Sequence, residues 1–368
     1  MKICIVSSSI YPHAGLGRAV LSIADGLAER GHTIGIISSG GETKHALCTV
    51  SLRVNLFRPL RLFSELFKMR SFMRSYDLIV AFDPRPAGIL THLACFGLRK
   101  DIIIHTLGTY ALFERNNLIK NLLIQWVYAK SKRIFVINSF VQHRIEESKK
   151  KFMFGQNLSI VPIGVDTTLF YPHPYPSYPY GRRYIISVGA LKTRKGQHTS
   201  VCAFINIAHA FPDVHYVLVG DAEEGNVYAE QIRKTIKKAN LENRIHLIQN
   251  ISDDELIDLY SGAQFFVLTP VTTKDFIEGF GMVYLEAALC GIPSIGTWNT
   301  GAEAAIEHQK SGLLVAGTVA SIAEGMRMLL TDDIERTKYA LYARQRALSF
   351  DWLNVVNAYE KEITDMKK

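Results

Sequence analysis

Short runs of β-branched and other apolar residues alternate with longer helical patterns, and the alternation restarts once, after a stretch no helix or central strand tolerates. In the first half the runs are Lys2–Ser7, Thr33–Ser38, Asp77–Ala81, Asp101–His105, Arg133–Ile137 and Leu158–Pro162. In the second they are Arg183–Val188, Val214–Val219, Arg244–Ile248, Gln264–Leu268 and Pro293–Gly296. Each is nearly continuous in apolar residues, as strands covered on both faces must be, and strands that alternate with helices pair in parallel. The break is Phe170-Tyr-Pro-His-Pro-Tyr-Pro-Ser-Tyr-Pro-Tyr-Gly181, whose four prolines remove the N–H groups that a helix or ladder needs. The expectation is therefore an α/β protein of two Rossmann-like domains, residues 1–169 and 183–345, with a linker at 170–182. A ligand cleft between them follows, because such sheets bind beyond the carboxyl ends of their strands. The tail, 346–368, reads as an amphipathic helix with Trp352, Leu353, Val356 and Tyr359 on its apolar side. Its pattern leaves open which domain it packs on, the N-terminal one included.

A length of 368 residues suits two cores, and 48% hydrophobic with 21% charged residues is the balance of a soluble globular chain. No apolar run approaches the ~20 residues that span a bilayer. The run Met1–Ser7 is broken at Tyr11-Pro12 before a signal-peptide core can form. Five cysteines stand singly without C-x-x-C spacing, which argues for reduced thiols in the cytoplasm rather than a disulfide framework or zinc site. The net charge of +8 is unevenly spread: 22 Lys and Arg against 10 Asp and Glu up to Val165, and 20 against 24 beyond it. A basic first half implies an anionic surface partner.

Four glycine-bearing turns follow expected strands. His13-Ala-Gly15-Leu-Gly17-Arg18 opens an amphipathic helix whose free N–H groups suit an anion, although the third small residue of a dinucleotide fingerprint is missing. Gly189-Ala-Leu-Lys192-Thr-Arg194-Lys195-Gly196 sets three cations beside a glycine turn, the composition of a diphosphate grip rather than of a Walker loop. Val219-Gly220-Asp221 reads as structural. Ile277-Glu278-Gly-Phe280-Gly281-Met282-Val283-Tyr-Leu-Glu286 runs from a turn into a helix ended by Gly291 and Pro293, so the amides of Gly281, Met282 and Val283 are first-turn donors.

The chain resembles the retaining glycosyltransferases of family 4, almost end to end. The residues that carry the likeness are Ala14-Gly15-Leu16-Gly17-Arg18, Arg30-Gly31-His32, Ile163-Gly-Val-Asp166 with Phe170, Val188-Gly189 with Lys195-Gly196, Leu218-Val-Gly-Asp221, and Glu278 with Glu286 in E-G-F-G-x-x-x-x-E-A. The resemblance implies the GT-B architecture: two Rossmann-like domains with parallel sheets facing a central cleft. It assigns Lys195 to the donor diphosphate, Glu278 to sugar hydroxyls, Glu286 to the ribose, and the backbone of Phe280 to Val283 to sugar and phosphate. It places Gly15 and Gly17 in a loop closing over the diphosphate, Asn250 and Ile251 about the base, and His105 near the reacting sugar. Glu278, Lys195 and His105 are its catalytic candidates. One departure is Ala190, where the family often has an Arg directly after the glycine at Gly189; Lys192 or Arg194 is left to compensate.

The function so implied is retaining transfer of a hexose from a nucleotide-diphosphate sugar, with no cofactor and no metal. The segment Gly281-Met-Val-Tyr-Leu-Glu286 resembles that of some mannosyltransferases of the family, which implies a mannose-type donor. Arg53 to Arg74 interleaves six Lys and Arg with Leu, Phe and Met around the single acid Glu65, and Lys130, Lys132, Arg133 and Lys149–Lys151 are further basic sets. That composition suits a helix lying on anionic lipid, and so a peripheral membrane protein with a lipid-linked or cell-envelope glycan acceptor. No nucleic-acid module accompanies it. The rival readings are an epimerase or phosphorylase on the same fold, a non-catalytic nucleotide-sugar binder, and an NAD-dependent oxidoreductase. The last is disfavoured because no acid ends the second strand at Ser38-Ser39.

Overall fold

Strands form where the β-branched runs stand. In the computed structural model, which describes residues 1–12, 15–52, 59–112, 117–149, 157–177, 179–181, 183–221, 225–273 and 276–366, the chain divides into two compact units. One comprises Met1–Gly164 with Trp352–Lys368, the other Val165–Asp351. His13, Ala14, Arg53–Arg58 of the basic stretch, and Lys150 with Lys151 lie outside the described residues.

The first unit has strands β1 (Lys2–Ser7), β2 (Thr33–Ser38), β3 (Ala46–Thr49), β4 (Leu78–Phe82), β5 (Asp101–Thr106), β6 (Arg133–Val136) and β7 (Leu158–Ile160). They pair in parallel in the order β3-β2-β1-β4-β5-β6-β7. Its helices are α1 (Gly15–Glu29), α2 (Pro59–Met73), α3 (Ile89–Ala94), α4 (Leu118–Lys130) and α5 (Ser139–Lys149). Ile3, Ile5, Val20, Ile23, Leu27, Val80 and Phe135 fill the core between sheet and helix.

The second unit has β8 (Tyr184–Val188), β9 (His215–Val219), β10 (Ile245–Ile248), β11 (Phe266–Val267), β12 (Ser294–Thr297) and β13 (Gly312–Val315). They too are parallel, in the order β10-β9-β8-β11-β12-β13. Its helices are α6 (Gln197–Ile207), α7 (Val227–Lys238), α8 (Asp253–Gly262), α9 (Met282–Leu289), α10 (Ala302–Ala305), α11 (Val319–Thr331) and α12 (Asp333–Leu348). Ser252 and Glu255 start α8 with a reciprocal capping box, satisfying two orphan amides. The proline-rich stretch lies on this unit: His173 N donates to Ser261 Oγ (2.9 Å), and Ser177 N donates to the Asp258 carboxylate.

The last helix, α13 (Trp352–Asp365), belongs to the first unit. Its Val355, Val356, Tyr359 and Ile363 close the core beside α1. Gly26 permits the approach, since a Cβ there would stand 2.5 Å from a Val356 methyl. Arg30 fixes the register, bonding Asn357 and pairing with Glu360 at 3.1 Å.

Two strands were not expected, β3 and β13. Each has four residues and lies at a sheet edge. In β3 the burial pattern is largely exposed, so its apolar signal is diluted. In each sheet the order reverses once, between β1 and β4 and between β8 and β11. In sheets of this kind the helices that follow the two flanking strands of a reversal pass to opposite faces, which makes its carboxyl edge the usual ligand position.

Candidate functional site

The β8/β11 reversal brings two of the expected motifs together. After β8 the chain turns at Gly189, whose φ of 142° disfavours any side chain, and Gly189 N donates to Val219 O (2.9 Å). Gly220 of the Val-Gly-Asp turn is packed so closely that a Cβ would stand 2.1 Å from the Gly189 carbonyl. The third glycine turn therefore supports the second. Gln197 holds the same loop from α6, donating to the Gly189 and Ala190 carbonyls at 3.0 and 3.1 Å. A 3₁₀ turn, Thr193–Lys195, then ends at Gly196 in the left-handed conformation (φ 72°).

That turn aims Lys195 and Arg194 at Glu278. Lys195 Nζ donates to Glu278 Oε1 at 2.9 Å, and Arg194 donates to Glu278 Oε2. The carboxylate is only 6% exposed, so its pairing with two cations is what permits its burial. Lys192 is exposed, and no ion pair of it occurs among the described residues; of the two residues left to compensate for Ala190, Arg194 is the one directed at the cluster.

Glu278 precedes α9. Gly281 stands at its N-cap with φ 84°; Tyr284 N donates back to Gly281 O (3.0 Å), and no side chain caps the Met282 and Val283 amides among the described residues. Phe280 is buried and its ring packs edge-on against Phe350 at 5.6 Å, leaving its backbone as the part that can face a ligand. Met282 and Val283 are half-buried in the first turn. Glu286 lies one turn further on, buried, with Tyr260 Oη 3.5 Å from its carboxylate.

A further turn supports this loop. Gly301 N donates to Glu278 O (2.9 Å), and a Cβ on Gly301 would be 2.3 Å from the Gly279 backbone. Thr297 Oγ1 donates to Pro270 O (2.6 Å), and Thr272 Oγ1 donates to Asn299 O (2.6 Å). A glycine two residues before an acid, in Asn299-Thr-Gly301-Ala-Glu303, was the only signal available.

The other expected residues stand on further elements. Asn250 (φ 57°) and Ile251 follow β10 at the sheet edge, and no described contact links them to Glu278. Gly15 and Gly17 are in the first unit at the start of α1; Gly17 is forced by the Tyr11 backbone, which a Cβ would meet at 2.0 Å. His105, the remaining catalytic candidate, belongs to the first unit. It is 0% exposed on β5, with Nε2 3.1 Å from the Val161 carbonyl and Nδ1 bonded to Tyr359 Oη. Since a carbonyl only accepts, Nε2 carries the proton and Nδ1 accepts from the tyrosine. Burial lowers its pKa to about 3, despite the bond to Val161. Among the described residues no group of three or more His, Cys, Asp or Glu side chains is arranged to hold a metal ion.

Two Rossmann-like units, one with an anion-competent loop pair at its switch point, define a class of two-domain nucleotide-binding α/β proteins. Comparison with known proteins narrows this. Residues 177–346 match the glycosyl transferases group 1 family and residues 13–169 match glycosyltransferase family 4. The chain belongs to these group 1, family 4 glycosyltransferases, and its fold is GT-B. A GDP-mannose-dependent alpha-(1-6)-phosphatidylinositol monomannoside mannosyltransferase of Mycobacterium tuberculosis is 31% identical over 207 residues, covering 53% of this chain and 52% of that protein. A D-inositol 3-phosphate glycosyltransferase of Corynebacterium urealyticum is 29% identical over 180 residues, 48% of this chain and 41% of that one. The matches thus span about half or less of these relatives' length. Among solved structures, Anabaena Alr3699/HepE in complex with UDP and glucose superposes with a TM-score of 0.83 at 20% identity, covering 99% of both chains.

Proposed function

We propose that the protein transfers a hexose from a nucleotide-diphosphate sugar, with retention of configuration, to a lipid-linked or cell-envelope glycan acceptor. The observation that carries this is Glu278 held by Lys195 and Arg194 in front of the uncapped α9 N-terminus. The two cations and the first-turn amides suit a diphosphate, and the buried acid suits the hydroxyls of the sugar attached to it. The acceptor oxygen bonds to the anomeric carbon as the bond to the diphosphate oxygen breaks. The diphosphate leaves with the electron pair and takes the acceptor proton, its new charge stabilised by Arg194 and Lys195. Side-chain cations then do the work often given to a metal ion, so activity is expected to survive EDTA. Guanosine diphosphate mannose is the donor favoured, in keeping with the GDP-mannose dependence of the mycobacterial relative.

Membrane contact is assigned to the helices of the first unit. No helix among the described residues is long and apolar enough to cross a membrane. On α2, Leu60, Phe63 and Phe67 are exposed at i, i+3 and i+7, with the exposed Arg61 and Lys68 next to Leu60 and Phe67 in sequence. On α4, Leu118, Ile119 and Leu122 are exposed with Lys120. Apolar side chains exposed among cations suit an anionic lipid surface.

The test is a thermal-shift series with UDP, GDP, ADP, their sugar conjugates and NAD, with and without EDTA. A nucleoside diphosphate at ~100 times its Kd should add about 2.7 kcal/mol. Stabilisation by one of them in EDTA, cut to about half or less in Lys195→Gln, supports the reading. A response to NAD alone overturns it. Sedimentation with phosphatidylglycerol vesicles but not phosphatidylcholine ones is expected, and equal binding to both would remove the membrane assignment.

A further inference from the structure

The β1/β4 reversal in the first unit carries a constellation that the donor-site reading leaves unused. Both units place an acid in the loop after the strand beyond the reversal: Glu278 after β11 and Asp83 after β4. Asp83 is 8% exposed and held at φ 67°, a left-handed conformation that L side chains rarely adopt. Its Oδ1 accepts from Leu107 N at 2.9 Å, its own N donates to His105 O at 2.8 Å, and its carbonyl accepts from Gly88 N at 3.1 Å. The carboxyl group is therefore clamped at the carboxyl edge of β4 and β5. Burial raises its pKa to about 7, with the Leu107 amide and Arg85 opposing.

Two residues on, the Arg85 guanidinium lies 5.7 Å from the centroid of the Tyr110 ring. Tyr110 stands on a 3₁₀ turn, Thr109–Ala111, and is 58% exposed. Tyr128 of α4 fixes that turn, donating to Ala111 O at 2.7 Å. A buried acid, a guanidinium and an exposed aromatic face make a combination suited to hydroxylated rings. The acid accepts ring O–H groups, the guanidinium donates to ring oxygens, and the aromatic face takes the C–H side of the ring.

We propose that Asp83, Arg85 and Tyr110 form a subsite of the first unit for a polyhydroxylated ring, a sugar or cyclitol, of the acceptor. Calling the ring an acceptor rests on the glycosyl-transfer reading, whereas ring binding itself does not. The full chain is examined by saturation-transfer difference NMR with methyl α-D-mannopyranoside and with myo-inositol as probes. One probe is expected to receive saturation in the wild type, reduced at least about fivefold in Asp83→Asn and in Tyr110→Ala, and retained in Lys195→Gln. Asn at 83 still offers an oxygen to Leu107 N, so a merely structural acid would leave the signal intact in that variant. Signal from neither probe, signal that survives both Asp83→Asn and Tyr110→Ala, or signal lost in Lys195→Gln overturns the subsite. Thermal shift by UDP and GDP, run in parallel, separates the two readings: ring binding without nucleotide binding would remove the donor site alone.

Discussion

Replacing His105 by Gln tests whether this histidine is part of the packing or of the chemistry. The imidazole is fully buried and neutral, with a folded pKa of about 3 against an ordinary value of 6.5. The unfolded chain therefore binds a proton on His105 below about pH 6.5 that the folded chain refuses until about pH 3. The stability from this group is fully present above the unfolded value and is lost as pH falls toward the folded one. Between about pH 7 and about pH 4.5 the loss approaches 2 units at about 1.4 kcal/mol each, so about 3 kcal/mol. Gln does not titrate, and it replaces the bonds to Val161 O and Tyr359 Oη imperfectly. The variant should be less stable by about 1–3 kcal/mol near neutrality, with the deficit shrinking or reversing by about 3 kcal/mol near pH 4.5. Urea unfolding of both proteins at the two pH values measures this. His92, whose pKa burial lowers to about 4, is present in both proteins and largely cancels in the difference. Parallel pH dependences in the two proteins would refute the argument. Turnover abolished in a variant of unchanged stability would return His105 to the reaction.

Three other perturbations follow from the same geometry. Lys195→Gln removes one charged hydrogen bond from the grip, and isothermal titration should show the Kd for the nucleoside diphosphate rising about 10- to 100-fold. Gly196 and Gly225 share φ 72°, but a Cβ would meet the Thr269 carbonyl at 1.8 Å in the first and nothing within 4 Å in the second. Urea midpoints should give Gly196→Ala a cost of about 3 kcal/mol or more and Gly225→Ala about 1 kcal/mol; equal costs would show that the Thr269 contact is absent. Asp83, with a folded pKa of about 7 against 3.8, favours the protonated form, so its contribution falls as pH rises through that window. Asp83→Asn should therefore gain on the wild type by up to about 4 kcal/mol between about pH 4 and about pH 8, and no gain in paired unfolding curves would contradict its burial as an acid.

The glycine loops were legible because their constraint is local. Gly189, Gly196 and Gly281 adopt backbone angles that side chains resist, and the helix after Gly281 begins where the sequence stops offering a cap. The support from Gly301 was not legible, since it consists of an approach to Gly279 from more than twenty residues away. The surroundings of His105 were not legible for a related reason. Its position at the end of a strand is a sequence property, but whether its ring meets solvent depends on Tyr359, 254 residues distant.

The amino-acid sequence by itself determined the alternation of parallel strands and helices, its restart in a second unit, and the residue types at the glycine turns. These follow from side-chain burial and backbone sterics within a few residues of each other. The tertiary structure alone decided which charges meet. Strand order puts the loops after β8 and β11 side by side, so Lys195 and Arg194 reach Glu278 across more than eighty residues. It likewise returned α13 to the first unit, where Tyr359 seals His105 from water. Strand order is set by the free energy of the whole packed sheet, to which no single segment holds the key.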